Sequence, residues 1–428
     1  MAETFFVSAP GKVILFGEHS AVFGKPAIAA AISLRAYLLV SPSKDPNVIR
    51  LDFPDIKLSV SWNKSDIPFD EIKKHCNYDT EGNLQTTEEL VPEIIELLTD
   101  SLANLNTTFH HSACLSFLYL YTQLCNKDTP GNVFCVRSTV PIGAGLGSSA
   151  STSVCLAAAL GYLGGHISKP TFELDDKVNN SDVKELNFVD AWSFMGEKTF
   201  HGNPSGIDNA VSTHGGAVMY QRMTQPSNPS VRTTMRNFPP LKLLLTNSKI
   251  PRSTATLVGN VSKLNNEYPN IVGPILDAMG NISKNAYQHM IKPALDDESR
   301  KQLYDLVTLN HGLLVSLGVS HPVLEEIKSI GDLNKIGVTK LTGAGGGGCA
   351  ITLVYEDVDE EIIKSTLKTY ESKGFASYET SLGGKGVGAL FSHSEESVFD
   401  IETFANLKTR EEIESLLHIN EIKEWKFW

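Results

Sequence analysis

Residues 340–355 of this 428-residue chain read KLTGAGGGGCAITLVY. Five of the six residues from Gly343 to Gly348 are glycine, and an apolar run follows them directly. Gly343, Gly345 and Gly348 satisfy the spacing G-x-G-x-x-G, but a dinucleotide-binding fingerprint follows a strand and opens a helix. The run CAITLVY instead predicts a strand, so this loop does not indicate a Rossmann fold.

The patterns around the loop predict an α+β fold with a β-α-β-β-α-β unit in the C-terminal part of the chain. The members of this unit are a strand at KLLLTNS, helices from about 253 to 318, strands at IGVTKLT and CAITLVY, a helix at DEEIIKSTLKTYESKG, and a strand at SYETSL or KGVGALF. We expect an N-terminal domain over 1–225, a linker over the polar, proline-containing stretch 226–240, a C-terminal domain over 241–395, and a helical tail over 396–428.

The N-terminal domain is predicted to begin with two strands in its first forty residues. Further strands are expected at FCVRSTVP and GAVMYQ, and helices at TTEELVPEIIELLTDSLANL, HHSACLSFLYLYTQLC, SSASTSVCLAAALGYLGG and DVKELNFVDAWSFMGEKTF. Ser148 and Ser149 are the candidates for the N-cap of the third of these helices, and Gly164 and Gly165 for its end.

Composition excludes several classes of protein. The chain is 41% hydrophobic and 20% charged, as is ordinary for a globular protein, and its net charge of −12 argues against nucleic acid as a partner. The six cysteines show no CxxC spacing, which favours reduced thiols and a cytoplasmic location. The longest apolar run is too short to span a membrane. We found no Walker A motif, no HExxH motif and no GxSxG motif.

A second glycine loop, PIGAGLGSSAS at 141–151, precedes a predicted helix. Glycines let the backbone approach a ligand, and the N-terminus of a helix favours anions, so this junction suits a polyphosphate. A tight turn with a serine cap is the alternative interpretation.

Three charged residues suit phosphoryl transfer. Glu197 and Asp208 could hold Mg²⁺ and accept a proton, and Lys12 lies in a glycine-flanked apolar strand where it needs an anion or solvent. Each also has an ordinary explanation: Asp208 as a helix-start residue, Glu197 as a solvated acid, and Lys12 as a surface lysine.

Three segments in order, APGKVILFGEHSAV, PIGAGLGSSAS and KLTGAGGGGC, resemble the three motifs of the GHMP small-molecule kinases, over about residues 5–392. The resemblance implies the GHMP kinase fold, with an N-terminal α/β domain like the second domain of ribosomal protein S5, a C-terminal ferredoxin-like domain, and ATP in the cleft between them. The segments GEKTFHGNPSGIDNAVSTHGG and TNSKIPRST are most similar to the eukaryotic, fungal-type branch that phosphorylates mevalonate. Phosphomevalonate or sugar kinases of the family, and a non-catalytic regulator that binds ATP and a metabolite, are the alternatives.

The resemblance also implies roles for residues of this chain. Asp208 would be the general base on the C5 hydroxyl of mevalonate, Lys12 would contact that hydroxyl, and Ser149 and Glu197 would hold Mg²⁺. The implied substrate-binding residues are Glu18, His19, Ser20 and Thr342. The implied ATP-binding residues are Lys12, Pro141, Gly143, Ala144, Gly145, Leu146, Gly147, Ser148, Ser149, Ala150, Gly343, Gly345 and Gly346. Family members further suggest a homodimer, inhibition by farnesyl or geranyl diphosphate in competition with ATP, and a role in isoprenoid and sterol biosynthesis.

Overall fold

The computed structural model describes residues 3–103, 105, 107–176, 183–202, 204–222, 230–236, 238, 240–292, 294–392, 399–417, 419, 422 and 424–428. Within these residues the first part of the chain contains β1 (Phe5–Phe16), β2 (Ala27–Pro42), β3 (Val48–Phe53), β4 (Leu58–Asn63), α1 (Phe69–Ile72), β5 (Asn77–Tyr78), β6 (Leu84–Gln85), α2 (Pro92–Leu97), α3 (Thr108–Leu124), β7 (Asn132–Ser138), α4 (Ser148–Leu163), α5 (Lys184–His201), α6 (Ile207–His214), β8 (Ala217–Gln221) and β9 (Val231–Met235).

The second part of the chain contains β10 (Leu241–Asn247), α7 (Thr254–Glu267), α8 (Pro269–Met290), α9 (Asp297–Ser316), α10 (Pro322–Leu333), β11 (Gly337–Leu341), β12 (Cys349–Val354), α11 (Glu360–Ser372), β13 (Ala376–Leu382), β14 (Gly388–Phe391), α12 (Ile401–Asn406), α13 (Arg410–Leu417) and β15 (Lys426–Phe427).

Strand β2 is the centre of the N-terminal sheet. It pairs with β1 along most of its length, with β7 near its end, and with β8 near its beginning. The helices α3, α4 and α5 pack against this sheet, and buried Phe117, Leu156 and Trp192 belong to the same core cluster. Because α3 and α4 are buried around most of their circumference, they are apolar on nearly all faces rather than amphipathic.

The C-terminal unit is ferredoxin-like, as the sequence predicted. Strands β10 to β13 lie in the order β11-β12-β10-β13, with all neighbours antiparallel. Both candidate last strands form: SYETSL lies in β13 and KGVGALF contains β14. A single pair, Leu382 with Ile32, joins β13 to β2, so the two sheets are continuous.

Three local expectations for the N-terminal part of the chain differ from the structure. In place of one helix over 86–105, the described residues form α2 and a short 3-10 turn at Asp100–Leu102. Helix α2 begins at Pro92 because proline fits the first turn of a helix and breaks any helix that precedes it. Helix α4 is preceded by Gly147 at the N-cap, with no serine cap. The expected linker 226–240 contains β9, which pairs with β8 and extends the N-terminal sheet; residues 226–229, 237 and 239 lie outside the described residues.

The end of the chain also departs from expectation. Strand β14, which we expected within the C-terminal domain, pairs with β1 of the N-terminal sheet. The tail contains the helices α12 and α13, but it ends in β15, which pairs with β14. Trp425, Phe427 and Trp428 are buried there, so apolar burial of the final aromatic residues overrides helix formation.

Candidate active site

The second glycine loop leads directly into α4. Gly143, Gly145 and Gly147 all have φ between 75° and 78°, a conformation that residues with a side chain rarely adopt. The first hydrogen bond of the helix runs from the Ser151 N–H to Gly147 O at 2.9 Å, so the preceding N–H groups have no partner within the helix. This helix end is therefore suited to an anion.

Lys12 is held against this loop by its backbone and its side chain. Its N–H donates to Leu146 O at 2.8 Å, and its Nζ donates to Gly145 O at 3.3 Å. The same Nζ lies 3.1 Å from Oδ2 of Asp208, in the first turn of α6. A Cβ at Gly147 would lie 3.0 Å from Cγ of Lys12, so the loop makes room for this side chain.

Ser149, Glu197 and His201 form a polar cluster next to that ion pair. Ser149 Oγ lies 3.5 Å from Glu197 Oε1 and 3.1 Å from His201 Nε2. Burial, together with the nearby Asp208, raises the pKa of Glu197 to about 8, whereas Lys12 and the hydrogen bond from Ser149 oppose the shift. The Oε2 atom of Glu197 is buried and has no hydrogen-bond partner among the described residues. A cation at this position would satisfy that oxygen and favour the charged carboxylate.

These groups face one cavity of about 670 Å³. Its lining includes the polar groups of Lys12, Ser149, Glu197 and Asp208. It also includes the apolar side chains of Phe53, Phe109, Ile142 and Phe200. A molecule with a charged part and a flat apolar part would be complementary to this mixed lining.

The cavity contains only part of the set of residues that the sequence singled out. The ones that line it are Lys12, Pro141, Gly143, Gly145, Leu146, Gly147, Ser148, Ser149, Glu197 and Asp208. The ones that are not among its lining residues are Ala144, Ala150, Glu18, His19, Ser20, Thr342, Gly343, Gly345 and Gly346. Ala144 and Ala150 are buried behind the loop.

The first motif instead binds the third motif across the two domains. Glu18 pairs with Lys340 through Oε1, and its Oε2 accepts from Asn310 Nδ2 at 2.9 Å. The side chains of Glu18 and Lys340 are both 0% exposed. Burial lowers the pKa of Lys340, and Glu18 opposes that shift. Both carboxylate oxygens of Glu18 are thus occupied within the protein.

Two further contacts accompany this buried pair. His19 Nε2 lies 2.8 Å from Ala344 O, and Thr342 Oγ1 donates to Ile14 O at 2.7 Å. His19 has a φ of 59°, which is uncommon for a residue with a side chain and costs backbone energy. The segment 14–19 is therefore fastened to the segment 340–344 at three points.

The glycines from Gly343 to Gly348 lie in the third motif, and this segment is called the third loop below. Packing within the protein requires glycine at several of its positions. A Cβ would lie 2.0 Å from Val319 O at Gly345, and 2.8 Å from Leu257 Cδ1 at Gly346. A Cβ at Gly348 would lie 1.1 Å from Nη1 of Arg252. The space that these glycines leave is thus occupied by other parts of the chain.

Four residues at or beside the site were missed by the sequence reasoning. His201 lies four residues after Glu197 on the same helix, so helical spacing could have identified it. Lys340 interrupts an apolar strand, which signals a buried partner. Asn310 and Arg252 carried no comparable signal.

In the described part of the chain, no helix has both the length and the apolar character needed to cross a membrane.

Comparison with known proteins agrees with this architecture. The family models for the GHMP kinases N terminal domain and the GHMP kinases C terminal match residues 116–216 and 291–372. A galactokinase galactose-binding signature matches residues 1–42, the region of β1 and β2.

Similar proteins match across nearly the whole chain. The mevalonate kinase of Candida albicans is 56% identical over 426 residues, covering 99% of each chain. That of Saccharomyces cerevisiae is 42% identical over 407 residues, covering 90% of this chain and 89% of the relative. The crystal structure of L. major mevalonate kinase in complex with R-mevalonate shares the fold, with a TM-score of 0.61 at 23% identity, covering 89% of this chain and 96% of that one. The chain therefore belongs to the GHMP kinases, and within them to the fungal type of mevalonate kinase.

Proposed function

We propose that this protein transfers the γ-phosphoryl group of ATP to the C5 hydroxyl of mevalonate, which gives mevalonate 5-phosphate and ADP. The observation that carries this proposal is the contact of 3.1 Å between Lys12 and Asp208, next to the N-terminus of α4 in the cavity. A carboxylate beside an anion-binding helix end can accept a hydroxyl proton close to a bound phosphate.

The residues of the chain divide the reaction between them. The mevalonate hydroxyl loses its proton to the Asp208 carboxylate as its oxygen bonds to the γ-phosphorus. The bond from that phosphorus to the β,γ-bridging oxygen breaks, and ADP leaves with the electron pair. Lys12 fixes the position of Asp208 and lowers the cost of negative charge on the acceptor oxygen. The arrangement supplies positioning and electrostatic stabilisation, which dominate phosphoryl transfer.

Ser149 and Glu197 fit a magnesium ion. A hydroxyl and a carboxylate are hard oxygen donors, and Mg²⁺ in nucleotide sites takes few protein ligands. The unpartnered Oε2 of Glu197 leaves an oxygen donor available for such a cation. When bound there, Mg²⁺ would neutralise charge on the phosphates of ATP.

The shape of the cavity suggests the orientation of ATP. We assign the triphosphate to the loop from Pro141 to Ala150 and the base to the apolar side chains Phe53 and Phe109 of the same cavity. The same mixture of polar and apolar groups would admit a prenyl diphosphate in competition with ATP, which is our proposal for farnesyl and geranyl diphosphate.

The remaining assignments of the first and third motifs stay proposals. His19 keeps a proposed role at the acceptor, because its Nδ1 is buried and has no hydrogen-bond partner among the described residues. Glu18 and Ser20 would act on mevalonate through the backbone of the first motif, and Thr342 through its hydrogen bond to Ile14 O in that motif. Gly343, Gly345 and Gly346 would act on ATP through the shape of their loop. A cytoplasmic homodimer in isoprenoid and sterol biosynthesis is proposed from family membership, and the six free cysteines suit a reducing compartment.

An acceptor panel tests the substrate. We expect ADP release with mevalonate and none above background with phosphomevalonate, galactose or homoserine. The signature matched at residues 1–42 makes galactose the sharpest competitor. Turnover of galactose instead of mevalonate would overturn the proposal.

Variants of Asp208 and Glu197 test the assigned roles. Asp208→Ala should bind ATP with unchanged affinity but lose turnover, and activity within roughly tenfold of the parent would contradict its role as base. Glu197→Gln should raise the Mg²⁺ concentration needed for half-maximal nucleotide binding. An unchanged Mg²⁺ titration by calorimetry would remove Glu197 from the metal site.

A further inference from the structure

Arg252 lies between the two glycine loops. It belongs to the segment that connects β10 to α7, and its Nη2 donates to Ala144 O at 3.1 Å. A Cβ at Gly145 would lie 2.6 Å from Nη2, and a Cβ at Gly348 would lie 1.1 Å from Nη1. The guanidinium therefore occupies space that exists only because both loops carry glycine at these positions.

The charge of Arg252 has no counter-ion in the described part of the chain. Arg252 takes part in none of the ion pairs between described residues, and its single hydrogen bond there is the one to Ala144 O. A guanidinium has five N–H donors, so four are left for other acceptors. A partly buried cation in this situation is suited to an anionic ligand.

We propose that Arg252 binds the phosphate groups of bound ATP. This inference rests on the proposed function, and it adds the residue through which the third loop acts on the nucleotide. Arg252 contacts Ala144 and Gly145, which directly precede the helix end assigned to the triphosphate. The planar fork of arginine matches phosphate oxygens in pairs, and such charge-assisted contacts are stronger than neutral ones.

Gly348 is the partner of Arg252 in this arrangement. Any side chain at 348 would displace the guanidinium from its position between the loops, because the overlap involves the guanidinium itself. The third loop thus leaves space for the Arg252 guanidinium at Gly348, whereas its other glycines pack against Val319, Leu257 and Ile250.

The experiment compares ligands that differ only in phosphate number. Affinities of adenosine, AMP, ADP and ATP are measured by calorimetry for the parent and for Arg252→Gln, Arg252→Lys and Gly348→Ala. For Arg252→Gln we expect AMP binding within about twofold of the parent and ATP binding weaker by roughly tenfold or more. Arg252→Lys should recover part of the loss. Gly348→Ala should reproduce the same pattern, and its combination with Arg252→Gln should be no weaker than the worse single variant.

Lys263→Gln is the matched control, because it removes an equal charge from an exposed position on α7. It should leave all four affinities unchanged. Equal losses for AMP and ATP, additive losses in the combined variant, or an unaltered ATP affinity in Arg252→Gln would each overturn the inference. Thermal unfolding identifies any variant that no longer folds. If Arg252→Gln does not fold, the ATP and AMP affinities of Arg252→Lys decide whether the inference stands. If the parent binds ATP and phosphorylates mevalonate while Arg252→Gln is unaffected, only this inference fails.

Discussion

Removal of the Lys340 side-chain charge should strongly destabilise the protein. Lys340→Met leaves the Glu18 carboxylate fully buried, with Asn310 as its only remaining polar partner among the described contacts. An uncompensated buried charge of this kind typically costs about 3–5 kcal/mol of unfolding free energy. At roughly 2–4 °C per kcal/mol for domains of this size, the midpoint of thermal unfolding should fall by about 6–20 °C.

The double variant Glu18→Gln/Lys340→Met should be far more stable than Lys340→Met alone. Replacing both members of a buried pair removes the desolvation cost of two charges, and such replacements are often neutral or stabilising. The amide of Gln at position 18 can still accept from Asn310. The two variants should therefore differ in unfolding free energy by about 3–5 kcal/mol. The coupling free energy of the pair follows when Glu18→Gln is measured as well.

Denaturant unfolding of the parent, both single variants and the double variant measures that coupling. Lys328→Met serves as a control, since its exposed pair with Asp332 should contribute less than about 1 kcal/mol. If Lys340→Met were as stable as the double variant, the carboxylate of Glu18 would not depend on Lys340, and the argument from burial would be refuted.

Three further predictions follow from other contacts. Gly346→Val should lose roughly 1–3 kcal/mol of stability, because Gly346 has a φ of 67° and a Cβ would meet Leu257; an unchanged unfolding midpoint would contradict this. His214, whose pKa burial lowers to about 3, should make the parent lose about 2 kcal/mol between pH 6.5 and pH 5, because only the unfolded chain binds the proton there. His214→Asn should flatten that part of the stability–pH curve. Trp425→Ala should cost about 3–5 kcal/mol in denaturant unfolding if the tail belongs to the folded unit, since this side chain is 1% exposed and donates to Leu417 O.

The sequence alone was sufficient to predict features that a single continuous segment determines. The second glycine loop and the helix after it lie together in the chain, so their joint suitability for an anion could be predicted without a fold. The ferredoxin-like unit was also predictable, because its strands and helices alternate in a recognisable order and the strand after GAGGGG excludes the dinucleotide fold. The approach of Lys12 to Asp208 required the resemblance, since 196 residues separate them along the chain.

The sequence alone was insufficient where a glycine leaves room for atoms from a distant part of the chain. The pattern shows that a side chain is excluded, but it does not show which atoms occupy the space. At Gly348 these atoms belong to Arg252, which lies 96 residues earlier in the chain. The polar sequence VRTTM of β9 predicts a linker, because it forms a strand only through pairing with β8.

The two ends of the segment 340–348 thus serve different purposes. At one end Glu18 neutralises Lys340, and Asn310 satisfies the second oxygen of that buried carboxylate. At the other end Gly348 leaves room for Arg252, whose charge has no carboxylate partner among the described residues. The segment thus joins a structural ion pair at Lys340 to a space for a ligand-binding cation at Gly348, eight residues later. Variants of Lys340 should therefore lose stability, and variants of Arg252 should lose nucleotide affinity. The opposite result, a loss of nucleotide affinity in Lys340 variants and a loss of stability in Arg252 variants, would show that this division is wrong.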